Sequence, residues 1–250
     1  QFGLRSAMPM FKARKLCPQA KIIPPSMSKY REVSQQLRTI FLDVTPVFQR
    51  VSLDEAYLDL SGRAKDGSCE FPALTLARLA ARIEIEVGIT VSTGLSYNKF
   101  LAKLASDFDK PRGYSVIGRA EAVSVLSKLP VKKINGIGVV TARKMAEQGI
   151  ENIGQLQEMS ESELIGRYGK FGRRLADYVF GRDNRRVSSD GAAKSISAEK
   201  TFRKDLCNAN DLKEQIRSLC DRLARRLKTK DLAGRTIVLK LKTSDFKVVT

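Results

Sequence analysis

Apolar positions along the chain recur with two different periods. At residues 29–42 they fall at Tyr30, Val33, Leu37, Ile40 and Phe41, the one-face spacing of a helix. Residues 47–60 alternate and predict a strand or strand pair, and residues 62–67 read as a turn-rich loop. Leu76, Leu79, Ile83 and Val87 then share one helical face, which Gly88 ends. A β-branched strand is predicted over 89–95 and a second helix over about 97–108, closed by Lys110-Pro111-Arg112-Gly113. Residues 1–30, with breakers at Pro9, Pro18, Pro24 and Pro25, predict irregular chain. This order predicts α+β layering, a sheet covered by helices on one face.

From about 118 to 180 the apolar runs are short, helical and punctuated by glycine, which predicts a small all-α domain. Residues 181–194 are polar without periodicity and read as an interdomain linker. Beyond them lies an extended piece. A helix then opens at Asp211, with Glu214 three residues on in the manner of a capping box. Leu212, Ile216, Leu219, Leu223 and Leu227 form its apolar stripe. Residues 235–242 alternate strictly, with Ile237, Leu239 and Leu241 on one face and Val238, Lys240 and Lys242 on the other.

Charge changes this picture most. The 250 residues carry 45 Lys and Arg against 27 Asp and Glu, a net +18, and such an excess points to a polyanionic partner, most often nucleic acid. Residues 182–250 hold 18 of the basic and 9 of the acidic groups, half of the net charge. A basic module behind a linker suits a nucleic-acid clamp, although helical Lys and Arg also simply solvate an outer face. The strand lysines, Lys240 and Lys242, favour the clamp, because a flat cationic face can track phosphates.

Other chemistry is excluded or discouraged. There is no histidine, which removes His-based triads, His-liganded zinc and histidine general bases. Cys17, Cys69, Cys207 and Cys220 form no CxxC pair and read as scattered reduced thiols of a cytoplasmic protein. No run of about 18 apolar residues predicts a membrane span, and no signal-peptide pattern opens the chain. The chain starts at Gln1-Phe2-Gly3 and stops in what reads as mid-strand at Thr250, so a piece cut at both ends is expected.

The segment Val51-Ser52-Leu53-Asp54-Glu55-Ala56-Tyr57-Leu58-Asp59-Leu60 puts adjacent carboxylates in an apolar stretch. Burying them is costly unless a cation or a hydrogen-bond donor compensates, and magnesium is a natural compensator. The alternative is a hairpin turn with Asp54 and Glu55 facing water. Strand neighbours point to opposite faces, so sharing one metal region requires a turn or bulge here. Lys110 follows a helix, where it either meets an anionic ligand or simply sits favourably at the helix C-terminus. Ile134-Asn135-Gly136-Ile137-Gly138, followed by a helix, has the shape of a helix-hairpin-helix whose backbone approaches a phosphate. The second glycine run, residues 166–172, is better read as a turn between helices.

Four segments, in order, resemble Y-family translesion DNA polymerases, within them the bacterial polymerase IV (DinB-type) branch. Ser52-Leu53-Asp54-Glu55-Ala56-Tyr57-Leu58-Asp59 resembles the palm motif, and Phe2-Gly3-Leu4-Arg5-Ser6-Ala7-Met8-Pro9 the finger segment. Asn98-Lys99-Phe100-Leu101-Ala102-Lys103-Leu104-Ala105-Ser106-Asp107 with Lys110-Pro111-Arg112-Gly113 resembles the palm helix and its phosphate-binding lysine loop. Ile134 to Gly138 resembles the thumb hairpin. Where Arg112 stands, family members often carry Asn.

The resemblance implies partial fingers at 1–25, a palm at 26–117 and a helix-hairpin-helix thumb at 118–181. A linker at 182–193 and an incomplete α+β little finger at 194–250 follow. It implies low-fidelity, template-directed transfer of dNTPs to a primer 3′-hydroxyl during repair of damaged DNA. Asp54 and Glu55 become metal ligands for two Mg2+ ions, with Asp59 more structural than catalytic. Lys110 and Ala7 become dNTP contacts. Asn135, Gly136, Ile137, Gly138, Lys194, Ser195, Lys240 and Lys242 become contacts to primer-template DNA. A sliding clamp is an expected partner of the whole protein, through a peptide beyond Thr250. The family's first metal-binding Asp, its sugar-gate aromatic and the finger Tyr/Arg pair on the triphosphate are expected to be absent from this chain, so the piece alone is expected to be nearly inactive. The competing reading is a relative that has lost its carboxylates and serves as a scaffold in a mutagenic complex; retention of Asp54 and Glu55 argues against it. A stand-alone helix-hairpin-helix module leaves residues 47–113 unexplained, and a palm-like nucleotide cyclase leaves the thumb unexplained.

Overall fold

A computed structural model of the chain describes residues 2–62, 71–188 and 194–250. The chain divides into two compact units, residues 1–190 and 191–250, each treated by itself below. Most of the loop expected at 62–67, Cys69 and the last five linker residues lie outside the described residues. No helix among the described residues is long and apolar enough to cross a membrane.

The first unit begins with a helix where irregular chain was expected, α1 (Met10–Leu16). Pro9 and Pro18 bracket it instead of breaking it. Pro9 occupies the N-cap, where a missing N–H costs nothing, and the residues between the prolines are mostly good helix formers. Helix α2 (Met27–Val44) is longer than its apolar pattern and buries Leu37 and Ile40. Strands β1 (Phe48–Arg50) and β2 (Ala56–Leu58) form an antiparallel hairpin, with Phe48 opposite Leu58 and Arg50 opposite Ala56. Helix α3 (Pro72–Val87) buries Leu76, Leu79 and Ile83, as the spacing predicts, and stops at Gly88. Strand β3 (Thr93–Ser96), helix α4 (Lys99–Ala105) and strand β4 (Tyr114–Ile117) then make a parallel crossover. A Cβ at Gly94 would stand 2.1 Å from the Ala102 carbonyl oxygen, so only glycine lets α4 lie against β3 this closely.

The α+β character holds, but among the described residues the strands pair in twos, β1 with β2 and β3 with β4, without joining into one sheet. The predicted strands are trimmed, because residues 51–55 leave the ladder as a loop and 89–92 run in as exposed or half-exposed chain.

Residues beyond β4 form α5 (Ala122–Ser127), a 3-10 turn (Val131–Lys133), α6 (Val139–Ala146), α7 (Ile153–Gln157), α8 (Glu161–Tyr168) and α9 (Lys170–Tyr178). The glycine run at 166–172 is a turn between helices, with Gly169 joining α8 to α9. Two apolar clusters hold the unit. One packs α2 against α3 and Leu60. The other runs from Phe100, Leu101, Leu104 and Ile117 into Leu126, Met145, Leu175 and Val179 without interruption. Within it the Phe100 ring stacks on Tyr178 with centroids 4.4 Å apart.

The second unit contains α10 (Ala209–Thr229) and the antiparallel pair β5 (Leu241–Lys242) and β6 (Val248–Val249). Its helix starts earlier than predicted. Asn208 caps it, accepting the Asn210 N–H at 2.8 Å, and Asp211 falls in the first turn, where its charge suits the helix dipole. The predicted stripe from Leu212 to Leu227 is half-buried. The strand predicted over 235–242 shrinks to its last two residues. Alternation alone does not hold a strand, and a two-stranded ribbon without a covering layer is marginal.

Candidate functional site

The β1–β2 loop carries the acidic pair. Ser52 organises it: its hydroxyl accepts the N–H groups of Asp54 at 2.9 Å and Glu55 at 3.1 Å and donates to the Asp54 carboxylate at 2.6 Å. The Val51 N–H closes the loop on the Glu55 carbonyl at 2.9 Å. Asp54 is exposed and Glu55 half-buried. The pair therefore occupies a turn, the geometry that lets neighbouring carboxylates serve one region. Asp59 binds the N–H and hydroxyl of Ser61 at 2.9 and 2.6 Å.

Helix α4 faces this loop. Asn98 caps it by accepting the Leu101 N–H at 3.0 Å. One turn along, Lys103 donates to Glu55 at 2.8 Å and stands 3.6 Å from Asp107. Asp107 in turn receives Lys110 at 2.5 Å. Glu55, Lys103, Asp107 and Lys110 thus form one row of alternating charge. Burial disfavours the charged Lys103, but its bond to Glu55 and the fields of Asp107 and Glu55 hold its pKa above the ordinary value. Burial likewise works against the charged Asp107, yet the bond from Lys110 and the nearby Lys103 and Lys133 keep its carboxyl below the ordinary range. Arg112 takes a left-handed backbone, φ +57°, the conformation that Asn tolerates, and pairs with Glu84 of α3.

Sequence reasoning passed over Lys103 as a site residue, and Lys99 as well. Lys99 is buried, with its ammonium donating to Gln49 of β1 at 2.7 Å and to the Arg186 carbonyl at 3.0 Å. Burial, then Arg185, pushes its pKa down. The spacing Lys103, Asp107, Lys110 was the available signal, since residues four and three apart come together where a helix ends and its chain turns.

The start of the expected linker is part of this assembly. The Gly181 carbonyl accepts from Asn98 at 2.7 Å and from Tyr97 at 3.2 Å. Asp183 accepts the Phe100 N–H at 3.0 Å and a two-pronged bond from Arg185, both prongs 2.8 Å. Its side chain is only 2% exposed. Residues 181–186 are therefore a strap across the first turn of α4.

The remaining predicted residues lie elsewhere. Ala7 is exposed in the turn closed by the Met8 N–H on the Arg5 carbonyl, with φ +62°, and no hydrogen bond among the described residues joins it to the acidic loop. In the 134–138 turn, Ile134 and Ile137 are core residues, which turns Asn135 and Gly136 outward and leaves only backbone at Ile137 for a ligand. Gly136 has φ +104°, and an added Cβ would stand 2.9 Å from the Phe171 ring. Gly138 begins α6 with no side-chain cap, leaving the first amides of the helix turned toward exposed chain. In the second unit, Lys194, Ser195, Lys240 and Lys242 are exposed, and the Lys242 ammonium sits 5.7 Å from the Phe246 ring centre.

Two carboxylates at an exposed turn fit magnesium, a hard cation that takes one or two carboxylates and fills its shell with water and phosphate oxygens. The Lys103 ammonium against Glu55 is a stand-in cation that supports the fit. Among the described residues, no group of three or more His, Cys, Asp or Glu gathers as a complete metal cage.

Comparison with known proteins bears on the family and the fold. The impB/mucB/samB family pattern matches residues 1–107, and its C-terminal domain pattern matches 193–250. The chain is 51% identical over 248 residues to the DNA polymerase IV of Brucella melitensis, covering 99% of this chain and 56% of that protein. It is 46% identical to the DNA polymerase IV of Caulobacter vibrioides, over 99% of this chain and 61% of that protein. With the DNA polymerase IV of Alkalilimnicola ehrlichii the identity is 40%, over 99% and 69%. The chain thus spans little more than half the length of the first of these relatives. A solved Y-family DNA polymerase chimera shares the fold, with a TM-score of 0.83 at 23% identity, over 99% of this chain and 71% of that one.

Proposed function

This chain belongs to the impB/mucB/samB family, and on that premise we propose that it supplies the catalytic acid pair and the DNA grip of a translesion DNA polymerase. The reaction is transfer of a deoxynucleotide to a primer 3′-hydroxyl, directed by a template. The observation that carries the reading is the acidic turn held against Lys103 of α4, from which three successive ion pairs lead from Glu55 through Lys103 and Asp107 to Lys110 beyond the helix. In this reading Asp54 and Glu55 hold Mg2+, which supplies activation of the 3′-hydroxyl and neutralises the triphosphate and leaving pyrophosphate. Ser52 fixes the turn that carries the two carboxylates. Lys110 grips the triphosphate, and the Ala7 turn borders the nucleotide. The backbone at 135–138 and the amides that open α6 hold a DNA phosphate without reading sequence. Lys194, Ser195, Lys240 and Lys242 add contacts from the second unit. Residues 1–25 act as fingers, 26–117 as palm, 118–181 as thumb and 194–250 as little finger. The whole protein works on DNA in the bacterial cytoplasm, with a sliding clamp as partner.

The test uses the full-length protein. Asp54→Ala and Glu55→Ala abolish Mg2+-dependent primer extension and leave primer-template affinity nearly unchanged, because the phosphates are held elsewhere. Extension at the wild-type rate in both variants overturns the assignment. Lys110→Ala raises the nucleotide KM and lowers kcat, since its contact strengthens as charge develops on the phosphates.

A further inference from the structure

We propose that Lys103 and Asp107 form a charge relay that couples neutralisation of Glu55 to release of Lys110 for an incoming triphosphate. The inference rests on the reading of Glu55 and Lys110 just given and adds a role for the two residues between them.

In the row Glu55, Lys103, Asp107, Lys110 the shortest pairs are Lys103 with Glu55 at 2.8 Å and Lys110 with Asp107 at 2.5 Å. In that arrangement Lys110 is already neutralised and its affinity for an anion is blunted. Lys103, however, has a second acceptor in reach. Asp107 lies one helical turn on, 3.6 Å from the same ammonium. A cation on Glu55 competes with Lys103 for the carboxylate and turns Lys103 fully onto Asp107. Asp107 then shares its charge between two ammonium groups, and its hold on Lys110 loosens. Lys133 lines the same open surface groove as Asp107 and adds to the positive field there. The freed side chain is the more exposed of the two lysines, 53% against 22% for Lys103, and so the more open to a ligand.

The relay runs equally in reverse. A triphosphate that draws Lys110 away leaves Asp107 to Lys103, which releases Glu55 for a cation; coupling between two ligands is reciprocal. The protein itself thus favours joint arrival of nucleotide and metal, beyond their attraction for each other.

Glu55→Gln removes the charge that anchors Lys103 and so mimics an occupied carboxylate without any metal. The experiment measures affinity of the full-length protein for a fluorescent dNTP in EDTA. Glu55→Gln binds about five-fold tighter than wild type, the lower range of such couplings. The gain disappears in Glu55→Gln combined with Lys103→Met, or with Lys103→Gln where the Met variant folds poorly. Asp107→Asn alone also tightens binding, by freeing Lys110 directly. Asp54→Asn, which removes the same charge from the neighbour bonded to Ser52, gives no comparable gain. An unchanged affinity in Glu55→Gln, or a gain that survives loss of Lys103, overturns the relay. Lys110→Ala separates the two levels: weaker nucleotide binding there with no effect of Glu55→Gln leaves the Lys110 assignment standing and removes the relay, whereas no effect of Lys110→Ala removes both.

Discussion

The two units treat similar apolar patterns in opposite ways. In the first, Leu101, Leu126 and Ile153 are wholly buried. In the second, no described residue is buried; Ile237 is 90% exposed and Phe246 78%. Both units contain well-patterned elements, and α10 has as clear a stripe as α3. What separates them is coverage. Helix α4 finds β3 and β4 on one side and the α5–α9 bundle on another, so its apolar residues are shielded from several directions. In the second unit, α10 and a two-residue ribbon have too little apolar surface between them to enclose anything. A pattern names the face to be buried, and only a second layer buries it.

The sharpest test of this contrast is a pair of truncations. Leu101→Ala lowers stability by about 2–5 kcal/mol in chemical denaturation, the range for emptying a packed core site. Ile237→Ala stays within about 0.5 kcal/mol, as for an exposed side chain. Equal losses would break the comparison.

The strap gives the next largest effect. Asp183→Ala leaves the Phe100 N–H and the inner edge of Arg185 without their partner and costs about 1–3 kcal/mol. It also carries a pH signature. Burial works against the charged Asp183, but Arg185 and the Phe100 N–H hold its carboxyl pKa below the ordinary value. A depressed carboxyl stabilises the fold above its unfolded pKa of about 3.9 and loses that contribution as pH falls toward the folded value. Acid unfolding followed below about pH 4 is therefore less steep in Asp183→Asn than in wild type.

Gly136 and Gly138 sharpen the contrast inside one turn. Gly136→Ala meets both a positive φ and the Phe171 ring and costs about 1–3 kcal/mol. Gly138→Ala meets open space at φ −81° and costs about 1 kcal/mol at most. A loss of DNA affinity in Gly138→Ala at nearly unchanged melting temperature supports the backbone contact proposed there.

The smallest effect on stability belongs to the second unit. Lys240→Ala with Lys242→Ala leaves unfolding unchanged, yet flattens the slope of log K against log salt by about one to two units on duplex DNA of any sequence. A retained slope, or a loss confined to one sequence, removes these lysines from the interface.

Legibility in the sequence follows the same division between pattern and partner. The faces of α3 and α10 were readable because period and stop signals are local. So was the acidic pair, by its rarity in an apolar segment. Lys103 was not, since a lysine on a short helix looks solvent-facing and its partner lies 48 residues away. Asp183 was hidden more deeply. It sits in a polar, aperiodic run that reads as linker, and the amide that buries it is 83 residues back. Helix α1 was concealed by prolines read as interruptions when they mark its two ends. The strand at 235–242 was over-read, because alternation is necessary for a half-buried strand and does not provide its neighbour.

The uninterrupted core from α4 to α9 has a consequence for how the first unit breathes. Phe100 and Val179 belong to one packed body, and the Phe100 ring lies flat on Tyr178. Parts joined this way open together or not at all, as one cooperative foldon. The amides of Leu104 and Val179 should then exchange with deuterium at the same opening free energy, although one lies in the expected palm and the other in the expected thumb. The DNA grip proposed above, if built on such a body, does not close by swinging one half against the other.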